Sequence, residues 1–370
     1  MIKHSLFIAI LFLISSCAHS SHKRIIAENT SQALMLDWGS LFSEVNKPKN
    51  PILQKQIQNV IRHAREDIVQ IQTVKNLFSE GIVFSDPKRI ATDLAVKNLP
   101  SLVYWSVCGR LEADLNNKQK CINQFKSGVL SWVNTYESDG NPINELNLIP
   151  VFLSIDIGRD FFSPDEQKSI NAWLNKILIM EQNHFVVSKY KSDFKTNHRS
   201  WSLAIMSLCA QLLNNSIKLA DIKNQWIEHA KINLNDDGST LDFYMRDALH
   251  YHVYNMQAYL WVQRFIPEVI PSDLVHKIEN CIQFIKPFYV GEKQHIEFVH
   301  TTVQFDNIRR DAGDPSFRNI FWDAKKARNL LLMSRSLYPS VKNWTENVVD
   351  ENYEAYWKLI SNLDKDTFVK

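Results

Sequence analysis

Chain-reversing residues are scarce here and helix-period apolar segments are many, and this contrast most constrains the fold. The chain has 9 Gly and 12 Pro in 370 residues. Turn-dense β architectures need such residues roughly every ten positions, and collagen-like or linker-rich chains need far more. Helical apolar periodicity runs instead through residues 52–71, 99–111, 122–136, 200–213, 222–232, 248–265, 274–288 and 324–336. Ser163-Pro164-Asp165-Glu166 reads as a helix start: a Ser cap, Pro at the first position and Glu three residues after the Ser. The helix it opens sets Ile170, Trp173, Leu174 and Ile177 on one face. Strand-like alternation is weak, with 295–303 the best candidate. No low-complexity run or Pro/Gly-rich linker divides the chain, so it reads as one domain of antiparallel helix pairs.

Hydrophobic residues make up 45% of the chain, which excludes wholesale disorder. A formal charge of +2 argues against a protein that coats nucleic acid. The N-terminus is a targeting segment. Lys3 and His4 precede an apolar run at 6–14, too short to span a bilayer, and Ser15-Ser16-Cys17 follows. Small residues before Cys17 resemble the bacterial lipobox, with an ordinary signal peptide as the alternative. The lipobox reading makes 1–16 a signal peptide, Cys17 a lipidated anchor, 17–32 a tether and 33–370 the folded domain. Ala18 after Cys17 points to the periplasmic face of the outer membrane. Cys108, Cys121, Cys209 and Cys281 remain, and four cysteines allow three connectivities. Cys108 and Cys121 flank a polar stretch, 112–120, that suits the turn of a helical hairpin; Cys209 lies in an apolar segment and suits a core thiol.

No GxGxxG, GxxxxGK[ST] or GxSxG motif is present, which disfavours dinucleotide, P-loop and α/β-hydrolase chemistry. Polar and aromatic residues cluster at segment starts instead. The first cluster is Lys195-Thr196-Asn197-His198-Arg199-Ser200-Trp201, where an amide, an imidazole and a guanidinium open a helix and suit an anion. Helix capping with exposed side chains is the bland alternative. The second cluster runs from Asp237 to His252. A helix from Ala248 would pair Asp247 with Tyr251 and Arg246 with His250 at i,i+4, and cationic neighbours would lower the Tyr251 pKa from ~10. His250 and His252 point apart at i,i+2, so a two-His metal clamp is not expected; an aromatic core stripe is the alternative. In the third cluster, Asp139 to Glu145, Asn144 and Glu145 would bind sugar hydroxyls or cap a helix. The fourth, Glu297 to Pro315, reads mainly as loop structure.

Taken in order, these clusters resemble the alginate lyase superfamily of polysaccharide lyases. The resemblance spans roughly 85–340 and rests on Gly140-Asn-Pro-Ile-Asn-Glu145, Asn197-His198 with Trp201, Asp237-Gly-Ser239, Arg246-Asp-Ala-Leu-His-Tyr-His252, and Phe305-Asp306 with Ala312-Gly-Asp-Pro315 and Trp322. The 241–254 stretch is nearer to alginate- and glucuronan-lyase relatives than to periplasmic alginate lyases with Asn-Asn-His, where this chain has Thr196-Asn197-His198.

The resemblance implies an all-α, incomplete (α/α) toroid of antiparallel hairpins and β-elimination on a 1,4-linked polyuronate. It implies catalytic roles for Asn197, His198, Arg246 and Tyr251. Substrate contacts would come from Lys195, Arg199, Trp201, Asn144, Glu145, His250 and His252. No metal or other cofactor is required, since hydrogen-bond donors neutralise the uronate. The expected partners are an anionic polysaccharide and, through the lipid, a membrane; nucleic acid is not a partner, and the chain is expected to act as a monomer. Two rivals stay open: a toroid glycoside hydrolase using two carboxylates such as Glu145 and Asp242, and a sugar-binding lipoprotein without catalysis.

Overall fold

Helices of two kinds account for the architecture, and burial separates them. The computed structural model describes residues 38–66, 69–187, 193–266, 270–335 and 337–345. The leader, Cys17 and the tether therefore lie outside the described residues. The chain order is α1 (Trp38–Asn46), α2 (Pro51–Glu66), α3 (Pro87–Val96), α4 (Pro100–Leu111) and α5 (Leu115–Thr135). Next come α6 (Pro142–Glu145), α7 (Ile149–Gly158), α8 (Pro164–Val187), α9 (Asn197–Leu212) and α10 (Ser216–Asn233). Then follow α11 (Leu241–Arg246), α12 (Leu249–Phe265), α13 (Ser272–Phe284), α14 (Gln304–Asp311) and α15 (Arg328–Ser334), with further one-turn helices at Lys286–Tyr289 and Pro339–Lys342.

Helices α4, α7, α9 and α12 are buried nearly all round; in α9 every residue except Gln211 is buried. A helix apolar on all sides belongs in the interior of a layered fold. The others show one stripe: α5 buries Cys121, Phe125, Gly128, Val129 and Trp132, and α13 buries Leu274, Ile278, Cys281 and Ile282. Contacts follow the same division. The inner helices touch in succession, α4 to α7 to α9 to α12 to α15, while α2 and α5 back α4, α8 and α10 back α9, and α13 backs α12. The fold is the expected all-α toroid. Gly158 permits its tightest inner–outer approach, because a Cβ there would lie 2.3 Å from the Phe125 ring.

The Ser163 start is a reciprocal cap, with Ser163 N donating to Glu166 at 2.7 Å and Glu166 N to Ser163 Oγ at 3.4 Å. Cys108 and Cys121 are disulfide-bonded and join α4 to α5, whereas Cys209 and Cys281 are free and buried. Most of the polar stretch between the bonded pair belongs to α5 itself, capped by Asp114, so the hairpin turn is shorter than expected. The strand expected at 295–303 does not form. A single bridge joins Ile296 to Phe321, and the backbone is otherwise spent on the end of α11: Phe298 N donates to the Asp247 carbonyl at 2.7 Å and Thr302 N to that of Met245 at 2.8 Å. No helix among the described residues is long and apolar enough to cross a membrane.

Candidate active site

The N-terminal ends of α9 and α12 meet where the Trp201 and Tyr254 rings pack 5.2 Å apart. At the start of α9, Asp242 fixes Asn197: its carboxylate accepts from Asn197 N at 3.0 Å and from the Asn197 amide. The other Asp242 oxygen accepts from Asn233 at 2.9 Å, and Asn255 donates to Asn233. This buried chain of amides orients Asn197 and leaves its second amide hydrogen for another acceptor. His198 is held at both ring nitrogens, by Glu80 Oε1 at 2.6 Å from Nε2 and by Thr196 Oγ1 at 3.1 Å from Nδ1. Burial opposes charging of this imidazole, but the hydrogen bond and charge of Glu80 outweigh it and raise the His198 pKa. Burial likewise opposes ionisation of Glu80, yet its bonds to His198 and Asn141 bring it down to about 2.

The second half of the site lies at the junction of α11 and α12. Asp247 has φ +49°, a left-handed residue that ends α11, and α12 starts at Leu249. The expected i,i+4 pairs, Arg246 with His250 and Asp247 with Tyr251, therefore do not share a continuous helix. Arg246 ion-pairs with Asp306, and its guanidinium lies 3.9 Å from the centroid of the Tyr251 ring. The Tyr251 hydroxyl has no hydrogen-bond partner among the described residues. Its pKa is raised, because burial outweighs the Arg246 charge, and this corrects the expected lowering. His250 packs against the Tyr251 and Tyr254 rings, and its pKa is lowered to about 4 by burial and by the Lys326 and Arg246 charges.

Several residues expected at a sugar cleft are instead built into the scaffold. Asn144 is buried, accepting from Ser79 N and donating to Asp139. Glu145 is fully buried and accepts from Ser138; burial raises it to about 7, against the Ser138 bond, and its neighbour Glu181 is raised well above the usual carboxylate range. Arg199 points to α10, where it donates to Gln225, and lies over the Phe194 ring from the turn before α9; burial lowers it to about 10. Trp201 is core. His252 is a wholly buried core histidine, with Nε2 on the Cys281 carbonyl and Nδ1 without a partner among the described residues. Lys195 is exposed beside the start of α9, and its carbonyl accepts from Asn233. The two carboxylates of the rival hydrolase, Glu145 and Asp242, are both interior and neither flanks an accessible bond.

Sequence reasoning missed Glu80. It lies in a segment without helical or strand pattern, 118 positions from the histidine it binds, and nothing local marks it. The segment is held from several sides: Arg89 and Arg309 both donate to the Ser79 carbonyl at 3.0 Å, and Arg309 also to that of Ile82. Arg309 of the fourth cluster thus serves loop structure, while Asp306 of the same cluster pairs with Arg246. No group of three or more metal-ligating side chains occurs among the described residues.

The chain has relatives among known proteins. The model of the family described as "Alginate lyase" matches residues 106–277, which include α9, all of α12 and the first half-dozen residues of α13. The crystal structure of an alginate lyase from Bacteroides ovatus superposes with a TM-score of 0.52 at 10% identity, covering 91% of this chain and 94% of that one. At that identity it speaks for the fold. No curated protein sequence matches the chain.

Proposed function

We propose that this chain, a polysaccharide lyase of the alginate lyase kind, cleaves a 1,4-linked polyuronate such as alginate, poly-mannuronate or glucuronan by β-elimination. The product would carry a 4,5-unsaturated uronate at its new end. The observation that carries this reading is the Tyr251 hydroxyl, left without a partner among the described residues while a guanidinium lies over its ring. An idle phenol beside a fixed cation suits proton transfer far better than packing.

The chemistry asks for charge neutralisation first. A uronate C5–H is weakly acidic because the adjacent carboxylate is already negative, and a dianion-like intermediate must be stabilised. The free amide hydrogen of Asn197, the positive charge on His198 and the Arg246 guanidinium supply this. Tyr251 then removes the C5 proton and protonates the departing O4 where both lie on one face of the sugar. Because its resting pKa is raised, activity rises with pH until His198 loses its proton, giving a bell-shaped profile. His250, neutral and against the tyrosines, contacts the sugar, and exposed Lys195 attracts the polyanion.

The same reading places the protein at the periplasmic face of the outer membrane, acting as a monomer and anchored through lipid on Cys17. Metabolic labelling with a radioactive fatty acid tests the anchor, since Cys17→Ala would take up none. Incubation with alginate, poly-mannuronate, poly-guluronate and glucuronan tests the reaction. Ultraviolet absorbance from the conjugated product is expected on at least one polymer. Reducing ends without that absorbance would indicate a hydrolase, and neither signal a binding protein.

A further inference from the structure

His198 has a partner on each ring nitrogen, and those partners dictate its protonation. The Thr196 hydroxyl donates its one hydrogen to the Asp193 carbonyl at 3.1 Å. Its oxygen can then only accept from Nδ1–H. Glu80 Oε1, 2.6 Å from Nε2, accepts the second ring hydrogen, while Glu80 Oε2 accepts from the Asn141 amide at 2.6 Å. The Glu80 segment is itself fixed by Asn144, Arg89 and Arg309. The carboxylate is thus a built part of the site and not a surface residue that happens to reach it.

We propose that Glu80 is a positioning residue of this site: bonded to His198 on one oxygen and to Asn141 on the other, it holds the imidazole doubly protonated, as a fixed positive charge and not as a base. An imidazolium with both hydrogens committed has no lone pair to take the C5 proton, which leaves Tyr251 to handle both proton transfers. The charged groups facing His198 come from four directions. Glu80 and Asp193 favour its cation, while Arg246 and His184 oppose it, as does burial. Of the two favourable groups Glu80 is hydrogen-bonded directly to the ring, so removing its charge should tip the balance.

The catalytic half of this inference rests on the proposed elimination; the protonation half does not, and the test separates them. In the full chain, nitrogen NMR of labelled histidine follows the His198 ring through a pH titration. Glu80→Gln keeps the shape of the side chain and removes its charge. We expect the His198 midpoint to fall by about one unit or more. Glu80→Asp, milder for folding, should move it the same way by less. With a polyuronate that the wild type cleaves, kcat for Glu80→Gln should fall at least tenfold at neutral pH, with KM little changed and the optimum moved to lower pH. An unmoved His198 titration overturns the proposal. So does a loss of activity that is uniform across pH, which is the mark of a merely structural residue. Absence of turnover on every uronate polymer would remove the reaction while leaving the ring's protonation measurable.

Discussion

Helices α9 and α12 lie side by side in the same direction: Trp201 meets Tyr254 near their starts, and Leu208, Leu212 and Phe265 line one small cavity near their ends. The two ends of this pair serve opposite purposes. At the starts, nearly every group is polar and answered by another, in the sequence Asn255, Asn233, Asp242, Asn197 and in the pairing of Glu80 with His198. At the far ends the cavity lining is mainly apolar, with Phe152 and Leu153 beside Asp156 and Gln211. Both ends are buried, so burial alone does not identify a site. What distinguishes the starts is that Tyr251 and Asn197 keep hydrogen-bonding capacity beside the Arg246 guanidinium and the His198 ring.

This contrast can be broken or sharpened by four measurements. Tyr251→Phe should show the largest effect, a loss of roughly 10³-fold in kcat with the melting temperature nearly unchanged, since the lost hydroxyl bonds to nothing described. Activity within a few fold of wild type would remove Tyr251 from the chemistry. His198→Ala should cost at least about 10²-fold in kcat/KM by removing a positive charge aimed at the developing dianion; a full-length, folded variant with wild-type turnover would contradict that. At the other end the effects should reverse. Leu208→Ala should lower stability by about 3 kcal/mol in chemical denaturation, by lost transfer energy and an enlarged cavity, and leave kcat unchanged. A kcat that fell with stability would show the two ends to be coupled.

The smallest effect concerns pH. Glu145 titrates at about 7 in the folded chain, above the ordinary 4.5, so the folded state holds a proton that the unfolded chain has released. Stability should therefore decline as pH rises from about 4.5 to about 7. Glu145→Gln should flatten that decline, raising the melting temperature by a few degrees at pH 8 and hardly at all at pH 4. Glu80 acts in the opposite sense. Its folded value of about 2 supplies stability above pH 4.5 that is lost as pH falls toward 2. An unchanged melting profile for Glu145→Gln would mean that the buried carboxyl is satisfied in both protonation states.

The fold was largely legible because helical periodicity is a local signal, and the apolar segments matched helices to within a few residues at most ends. The 295–303 segment misled for a reason that distance along the chain explains. Its alternation resembled a strand, but beyond one bridge to the 320–322 segment its backbone bonds to Met245 and Asp247, some fifty residues away. In the candidate site, Asn197 and His198 open α9, Tyr251 lies in the first turn of α12 and Arg246 closes α11, and all four stand in motifs visible in the sequence. His252 and Arg199 occur in the same motifs and turn inward, because neighbours on a helix face different directions and the sequence does not say which direction is the core. Glu80 was invisible, since its importance lies wholly in a contact made across the fold.

The left-handed Asp247 has a consequence best put in terms of phase. In an unbroken helix, residues 246 and 251 would project about 140° apart, with the guanidinium turned away from the phenol ring. One backbone reversal resets that angle and lets Arg246 stack on Tyr251, and the Asp247 carboxylate then anchors the turn through His300 at 2.8 Å. The distance between these two residues along the sequence is therefore part of the site. A single inserted or deleted residue at 247–249 would rotate the whole of α12 relative to Arg246 and displace the phenol, even if every side chain named above were retained.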